Sequence, residues 1–236
     1  ILDMKPTHAN LIKQSSLFKG VSEQGFSEIA DAAVARPVEV GGFFFMQEDP
    51  ATHAYVLLEG RVKMIQISPN GQQIILRIIT PGQTFGGIAL LKPEAGYPAT
   101  AQAVEDSTAA AWNNHDLRKI AETEPSIPVN VMSLMHGYIS ELQERQKALV
   151  TARVEQRIAR ILLKLAAQSG KKTDEGILID IPITRQDIAE MSGTTLFTVS
   201  RTLNEWDRDG LLKIGREKVV IRDPHQLVII SDDLVE

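Results

Sequence analysis

The side chains best suited to chemistry lie between residues 184 and 208, where two short helices are predicted on either side of Gly193. In the second helix, about 100° per residue puts Val199, Leu203 and Trp206 on one side, which must be buried. The opposite side carries Phe197, Arg201, Asn204 and Arg208, flanked by Thr198 and Ser200. A mixed basic, polar and apolar face at the N-terminal half of a helix is what reading of base edges in the DNA major groove requires.

The first helix, predicted over 184 to 191, carries its own start signal. Thr184 can cap it, and Asp187 three residues later completes a capping box. Gly193 suits a turn position that needs positive φ. A hairpin predicted over 211 to 223 follows and adds the basic residues Lys213, Arg216 and Lys218. Because any helical hairpin can mimic a helix–turn–helix, it is this added hairpin that indicates a winged helix.

The chain before these helices predicts a β domain. A helical pattern at 22 to 36 ends at Pro37, and from there to Asn113 short β-rich runs alternate with turn signals. Asn70-Gly71 is a strong hairpin signal. Many short strands at close spacing predict an antiparallel barrel or jelly roll.

The longest helical pattern runs from Pro128 to about Val150. Steps of three and four residues, typical of a coiled-coil seam, link Val131, Met135, Tyr138, Leu142, Arg145 and Leu149. A helix packed on its own β domain would show a similar stripe, but the length and the position between two domains favour a dimer seam. A helix at 153 to 168, a loop at 170 to 176 and a strand at 177 to 183 then lead to the two short helices.

Composition narrows the class of protein. Of 236 residues, 43% are apolar and 23% are charged, the balance of a folded globular chain. The absence of Cys excludes disulfides, thiolate metal sites and Cys-ligated iron–sulfur clusters. No apolar run approaches the roughly 18 residues that span a bilayer, and no signal peptide is visible, so we expect a cytoplasmic protein without a membrane partner. Because the chain begins with Ile rather than Met, we also expect its natural N terminus to be missing.

The charge of the chain is segregated. A net charge of −5 opposes binding to a polyanion such as DNA. Residues 153 to 222, however, hold 13 Lys and Arg against 10 Asp and Glu, whereas the rest of the chain holds 12 against 20. The chain has no His-x-His motif, nucleophile elbow or P-loop, so we expect no enzymatic activity and no catalytic residues.

Two stretches resemble the cyclic-AMP receptor/FNR (CRP/FNR) superfamily of bacterial transcription regulators. "ITRQDIAEMSGTTLFTVSRTLNEWDRDGLL" is similar to the DNA-binding signature of that family almost position by position. "YVLLEGRVKMIQISPNGQQIILRIITPGQTFG" is similar to its β-roll, including the turns at Gly60, Gly71, Gly82 and Gly86. The resemblance covers nearly the whole chain.

The resemblance implies an α+β fold in three parts. These are a β-roll sensor domain of the cyclic-nucleotide-binding type at 1 to 125, a dimerisation helix at 126 to 151 and a winged helix–turn–helix at 152 to 236. It also implies a homodimer on palindromic double-stranded DNA, more commonly an activator, with RNA polymerase as a further partner. A winged helix that binds only protein is the competing function.

The resemblance assigns roles in DNA binding by position. Helix N-termini and short donors hold phosphate oxygens, and these contacts fall to Thr184, Arg185, Gln186, Thr195 and Thr198, with Lys218 of the predicted wing. Arg201 stands where the family places a base-reading Arg suited to bidentate contact with guanine, and Ser200 lies beside it.

Two positions depart from the family pattern. Members usually have Glu at the position of Phe197, and several have Arg at that of Leu196. Because an apolar side chain can meet the methyl group of thymine, we expect a half-site that keeps the G read by Arg201 and differs from the family consensus beside it. The alternative is that Phe197 packs against its own protein and reads nothing.

The predicted effector pocket comprises Phe85, Gly86, Gly87, Tyr97 and Thr100. Family members that bind cyclic nucleotides hold the ribose with a Glu after the Phe-Gly turn, and the phosphate with an Arg followed by Ser or Thr. Here Gly87 and Tyr97-Pro98 stand at those places. A buried phosphate without an Arg would be unpaired, so we do not expect cyclic AMP to bind in the usual mode.

The stretch "YPATAQA" resembles the branch of the family that responds to nitric oxide, some members of which use haem. A haem would need an axial imidazole, and His53 or His136 are the candidates, although a surface or capping role is the simpler hypothesis for each. No other metal site is predicted. Three alternatives therefore remain for the β-roll: it binds a small-molecule or gas effector, it binds haem, or it binds no effector.

Overall fold

The computed structural model describes residues 6–91 and 95–232. The chain divides into two compact units, one ending at Glu141 and the other beginning at Leu142. The division falls inside the long helix. No helix within the described ranges combines the length and the apolar character needed to cross a lipid bilayer.

The first unit is built on an antiparallel β-roll, as the sequence predicts. Its helices are α1 (Pro6–Gln14), α2 (Glu23–Ala32), α3 (Ile88–Leu91), α4 (Asn114–Thr123) and the long α5 (Ser126–Thr151), which continues into the second unit. Its strands are β1 (Val34–Val38), β2 (Phe43–Phe45), β3 (His53–Glu59), β4 (Val62–Ile67), β5 (Gln73–Ile79), β6 (Thr84–Phe85), β7 (Thr100–Ala103) and β8 (Ser107–Asn113). They form two sheets, in the orders β1-β8-β3-β6 and β2-β7-β4-β5.

The helix predicted at 22 to 36 is shorter in the structure. Helix α2 begins after the N-cap Ser22 and ends at Ala32, and β1 begins at Val34. Pro37, predicted to end the helix, instead lies opposite Thr108 in the β1–β8 pair. Strand β1 is at a sheet edge, where a residue without an N–H is tolerated.

Two apolar clusters hold the β-roll together. In one, Trp112 is fully buried, packs edge-on against Phe18 with 4.9 Å between ring centroids, and donates from Nε1 to the Ile29 carbonyl at 2.8 Å. The other cluster draws on strands of both sheets and contains the rings of Phe44, Phe45, Tyr55, Phe85 and Tyr97. The second cluster matters for the sensor hypothesis because it includes residues of the predicted effector pocket.

The second unit contains the winged helix that the sequence predicts. Its elements after the end of α5 are α6 (Val154–Ser169), β9 (Gly170–Thr173), β10 (Gly176–Ile179), α7 (Arg185–Ser192), α8 (Leu196–Arg208), β11 (Leu212–Gly215), β12 (Lys218–Ile221) and α9 (Pro224–Asp232). The strands form one antiparallel sheet in the order β11-β12-β10-β9.

Three details of this unit differ from the prediction. The loop expected at 170 to 176 contains β9, which pairs with β10 through a turn at residues 174 and 175. Gly176, the first residue of β10, has a φ of +135°. Strand β10 ends at Ile179 rather than 183, and Pro182 has no N–H with which to extend a ladder. Helix α9 was not predicted; Arg160 of α6 holds its end by donating from Nε to the Ser231 carbonyl at 2.9 Å.

Candidate nucleic-acid interface

Helix α7 begins with the capping box that the sequence predicts. The Thr184 hydroxyl accepts from Asp187 N at 3.1 Å, and the Asp187 carboxylate accepts from Thr184 N at 2.8 Å. Gly193 ends the helix in the left-handed region, at a φ of +63°. The two local signals therefore set both ends of the helix.

The cap of α7 gives a direct prediction of stability. Replacing Thr184 with Ala removes the acceptor for Asp187 N, and loss of such a cap costs about 1 kcal/mol of unfolding free energy. We expect this loss in urea unfolding of T184A. The variant T184S keeps a hydroxyl and should retain most of the stability. Equal stability of T184A and T184S would contradict the role of the cap.

Two arginines that were not predicted to contact DNA hold the turn between α7 and α8. Arg157 of α6 donates from Nε to the Ser192 carbonyl at 2.9 Å, and from Nη1 to the Ala152 carbonyl at 2.9 Å. Arg145 of α5 donates from Nη2 to the Glu190 carbonyl at 3.2 Å. These contacts could not be predicted from the sequence, because their acceptors are backbone carbonyls and carry no residue signature.

Helix α8 buries the face that its periodicity predicts. Val199 and Leu203 are fully buried and Trp206 is 7% exposed. The opposite side is exposed along its whole length, at Phe197, Arg201, Asn204 and Arg208. The Thr195 hydroxyl caps the helix by accepting from Thr198 N at 3.2 Å, and it lies 2.9 Å from the Thr198 hydroxyl. Ser200 is half-buried beside Arg201.

The first turn of α8 presents apolar surface to solvent. Phe197 is 77% exposed and Leu196 is 47% exposed. The alternative in which Phe197 packs against its own protein is therefore wrong. The Phe197 ring is therefore available for contact with a partner of this chain.

Several candidate phosphate residues meet in one groove. A groove of about 360 Å³ lies between the start of α7, the start of α8 and the β11–β12 wing. Its lining includes Thr184, Arg185, Gln186, Leu196, Arg216, Lys218 and the acidic Glu217, so that basic residues outnumber acidic ones there by three to one. Thr195, Thr198 and Arg201 do not line it and belong to the outward side of α8 instead. The structure thus separates a basic groove from a reading face on the same unit.

The basic residues of the wing are not equivalent. Lys213 Nζ donates to the Glu175 carboxylate, and this hydrogen bond lowers the pKa of Glu175. The charge of Lys213 is therefore partly balanced within the chain. Lys218 is exposed on β12 and Arg216 is exposed beside it, so these two are the stronger candidates for DNA contact.

Three residues of the predicted effector pocket are packed into the interior of the β-roll. Phe85, Tyr97 and Thr100 are all buried. The Tyr97 ring stacks on Phe45 with 3.7 Å between centroids, and Phe85 stacks on Tyr55 at 5.0 Å. The Tyr97 hydroxyl donates to the His53 carbonyl at 2.8 Å and accepts from His53 N at 3.0 Å. The polar group of Tyr97 is thus used by the backbone of β3.

The tyrosines of this interior predict a loss of stability at high pH. Burial is the main reason why the pKa of Tyr55 and the pKa of Tyr97 are raised. The neighbouring Tyr97 raises the pKa of Tyr55 further. A folded-state pKa above the unfolded value means that the unfolded chain loses its proton first. The contribution of these two tyrosines to the unfolding free energy should therefore be constant below a pH of about 10 and fall above it.

Urea unfolding between pH 8 and 11 measures this effect. We expect a shallower decline for Tyr55→Phe than for the wild type, because the variant lacks one of the two titrating hydroxyls. A decline of unchanged slope in both Tyr55→Phe and Tyr97→Phe would contradict the assignment.

The candidate haem ligands do not fit a haem site. His53 is half-buried, its Nδ1 lies 2.8 Å from the Thr52 hydroxyl, and burial followed by the charge of Arg36 lowers its pKa. A haem beside it would need a flat apolar space, yet rings such as Phe45 and Tyr97 fill the interior there. His136 is exposed on α5. Among the described residues no group of three or more His, Asp or Glu could hold a metal ion.

Two residues of the predicted dimer seam contact the β-roll of their own chain. Val131 is 6% exposed and belongs to the core of its own unit. The Tyr138 hydroxyl accepts from Arg77 Nη2 at 2.7 Å, and that guanidinium lies 4.1 Å from the ring centroid. The burial of Val131 contradicts its assignment to the seam. Tyr138 is half-buried, and its place in the seam remains a prediction.

The exposed apolar side of α5 runs through different positions. Met132, Ile139, Leu142 and Leu149 are 63%, 51%, 62% and 48% exposed, and Met135 is half-buried between them. Their spacing of three, four, three and seven residues follows a heptad pattern. Met135, Leu142 and Leu149 of the predicted seam thus lie on the same side of α5 as the exposed Met132 and Ile139.

Two domain families match the chain. The cyclic nucleotide-binding domain matches residues 35–124, and the Crp-like helix-turn-helix domain matches residues 156–229. The first covers most of the β-roll and the second covers α7, α8 and the wing.

Known proteins match over most of the chain. The cyclic AMP receptor protein of Thermus thermophilus is 27% identical over 212 residues, which are 90% of this chain and 94% of that protein. The transcriptional activator protein anr of Pseudomonas aeruginosa is 25% identical over 201 residues, 85% of this chain and 82% of that protein. The structure of FixK2 from Bradyrhizobium japonicum has the same fold, with a TM-score of 0.74 and 22% identity over 84% of this chain and 96% of that one.

The fold, the two domain matches in their order along the chain and the relatives lead to one family. This chain belongs to the CRP/FNR superfamily and is a transcription regulator with a DNA-binding helix–turn–helix domain.

Proposed function

We propose that this regulator acts in the cytoplasm as a homodimer that reads a two-fold symmetric operator with α8. The observation that carries the proposal is the outward face of α8, where Arg201 is exposed and Phe197 is 77% exposed. A winged helix that binds only protein would not need a basic groove beside that face. We propose no enzymatic activity.

Base reading falls to the first two turns of α8. Arg201 offers paired donors to O6 and N7 of guanine, and Phe197 offers an apolar edge to a thymine methyl group. Leu196 and Ser200 flank these two residues. The family's usual Glu at the position of Phe197 would accept from a base amino group, so this chain should prefer a different base there.

Phosphate contacts fix the register of α8 in the groove. Arg185, Gln186 and Lys218 line the groove beside α8. Thr195 caps the start of α8, and Thr198 lies in its first turn. The Thr184 hydroxyl accepts from Asp187 N in the cap, and its own O–H can still donate to a phosphate oxygen. Such contacts supply most of the affinity and make it depend steeply on salt.

Dimerisation follows from the exposed apolar side of α5. Met132, Met135, Ile139, Leu142 and Leu149 leave a heptad stripe in water unless a second helix covers it. A second copy of the chain supplies that helix with two-fold symmetry. Its two copies of α8 should then lie about one helical turn of DNA apart, roughly 34 Å.

For regulation we favour a β-roll that needs no cyclic nucleotide. Tyr97, at the position of the phosphate-binding Arg, stacks on Phe45 and donates to the His53 carbonyl. Gly87 offers no ribose-binding carboxylate. We also propose activation through contact with RNA polymerase, the commoner mode implied by the family.

Selection of binding sites from a random DNA pool tests this function. The purified full chain is used alone, with cyclic AMP, and with haem and nitric oxide. The same palindrome in all three selections would support regulation without these effectors, and a palindrome in only one would contradict it. No enrichment, together with no salt-dependent binding to bulk DNA, would contradict DNA reading itself.

A further inference from the structure

We propose that Asn204 is a positioning residue that holds Arg185 for contact with a DNA phosphate, an inference that rests on the proposed function. Arg185 is the first residue of α7, and Asn204 lies on the outward face of α8. Their side chains meet across the two helices, where Arg185 Nη2 donates to Asn204 Oδ1 at 2.8 Å. The contact places the Arg185 guanidinium against α8.

The acceptor is neutral, so it orients the guanidinium without cancelling its charge. Both carboxylates of α7 are engaged by other groups. Asp187 accepts from Thr184 N at 2.8 Å, and Glu190 accepts from Gln186 Nε2 at 2.9 Å. Arg185 therefore keeps its positive charge available to an external anion. A carboxylate in place of Asn204 would orient the same group but would neutralise it.

The position of the pair fits a phosphate that flanks the bases. Asn204 follows Arg201 by three residues, about 4.5 Å farther along the same face of α8. Arg185 also lines the basic groove with Arg216 and Lys218. The held guanidinium thus lies between the base-reading face and that groove. An arginine already fixed in its bound geometry loses less side-chain freedom when DNA arrives.

The test compares N204A, R185A and the double variant on the selected operator over a range of salt concentrations. Each lost phosphate contact lowers the magnitude of the slope of log K against log salt concentration by about 0.9. We expect R185A to lower it by about that amount per protomer. We expect N204A also to lower the magnitude of the salt slope. It should weaken operator binding by about 3- to 10-fold, because the long side chain of Arg185 is then no longer held in place. The double variant should bind no more weakly than R185A.

The salt slope separates this role from direct contact, because Asn204 carries no charge. If N204A weakened binding equally in the R185A background and left the slope unchanged, Asn204 itself would contact DNA and the proposal would be overturned. A changed base preference in a selection repeated with R185A would also overturn it, since a phosphate contact carries no sequence information.

Q226A, which removes an exposed neutral amide from α9, is the matched control and should bind as the wild type does. Failure of the wild type to bind any DNA would instead remove the proposed function.

Discussion

Replacing Arg201 with Ala should abolish most sequence-specific binding while leaving the fold intact. Arg201 is exposed on α8 and contributes nothing to the buried side formed by Val199, Leu203 and Trp206. A good bidentate contact between Arg and guanine provides about 1 to 3 kcal/mol of discrimination. Because a dimer makes two such contacts, we expect the selected operator to lose about 2 to 6 kcal/mol of binding free energy, at least roughly 30-fold in affinity.

The matched control for Arg201 is Arg208, which lies on the same face seven residues later. R208A removes the same charge from the same helix, so it should change the salt dependence without changing the preferred base. Fluorescence anisotropy on the operator and on a variant with the guanine replaced measures both effects. If R201A still preferred guanine at that position, the assignment of Arg201 as its reader would be refuted.

A charge in the seam should separate the protomers and thereby remove operator binding. Ile139 is 51% exposed in the single chain and lies in the middle of the stripe on α5. In a dimer, I139E would bury an unpaired carboxylate, which is strongly unfavourable. A monomer contacts only one half-site. It therefore loses the avidity of two linked DNA-binding domains, about 100-fold or more in affinity.

The control for the seam is S133E, which places the same charge on an exposed position of α5 away from the stripe. Sedimentation equilibrium should give a monomer for I139E and a dimer for S133E and the wild type. A dimeric I139E with unchanged operator affinity would show that the protomers associate elsewhere.

Local chemistry explains what the sequence predicted well. Thr184 with Asp187 and the left-handed Gly193 set the ends of α7 by interactions within a few residues. The two sides of α8 followed from helical periodicity alone. The resemblance to the family added the roles of individual residues, which remain predictions.

The register of the seam could not be read from the sequence. Residues 131 and 132 are both apolar and differ by only about 100° around the helix. Which of them is exposed depends on the side of α5 that packs against the β-roll. Val131 lies on that side and is buried. The partner of Tyr138 was equally hidden, since Arg77 lies 61 residues away on β5.

The interior of the β-roll was missed for a related reason. Phe45 and Tyr97 are separated by more than 50 residues, and their stacking depends on the closure of two sheets. The sequence showed only that Gly87 and Tyr97 lack the groups that hold a nucleotide. The stacking of Tyr97 on Phe45 is visible only in the structure.

Hydroxyl-radical footprinting of the full chain on its selected operator tests the central claim most directly. A homodimer that reads DNA with two copies of α8 predicts two protected blocks, related by two-fold symmetry and about one helical turn apart. Each block should cover the guanine assigned to Arg201. A single protected block, or protection that does not depend on the sequence of the DNA, would contradict the account.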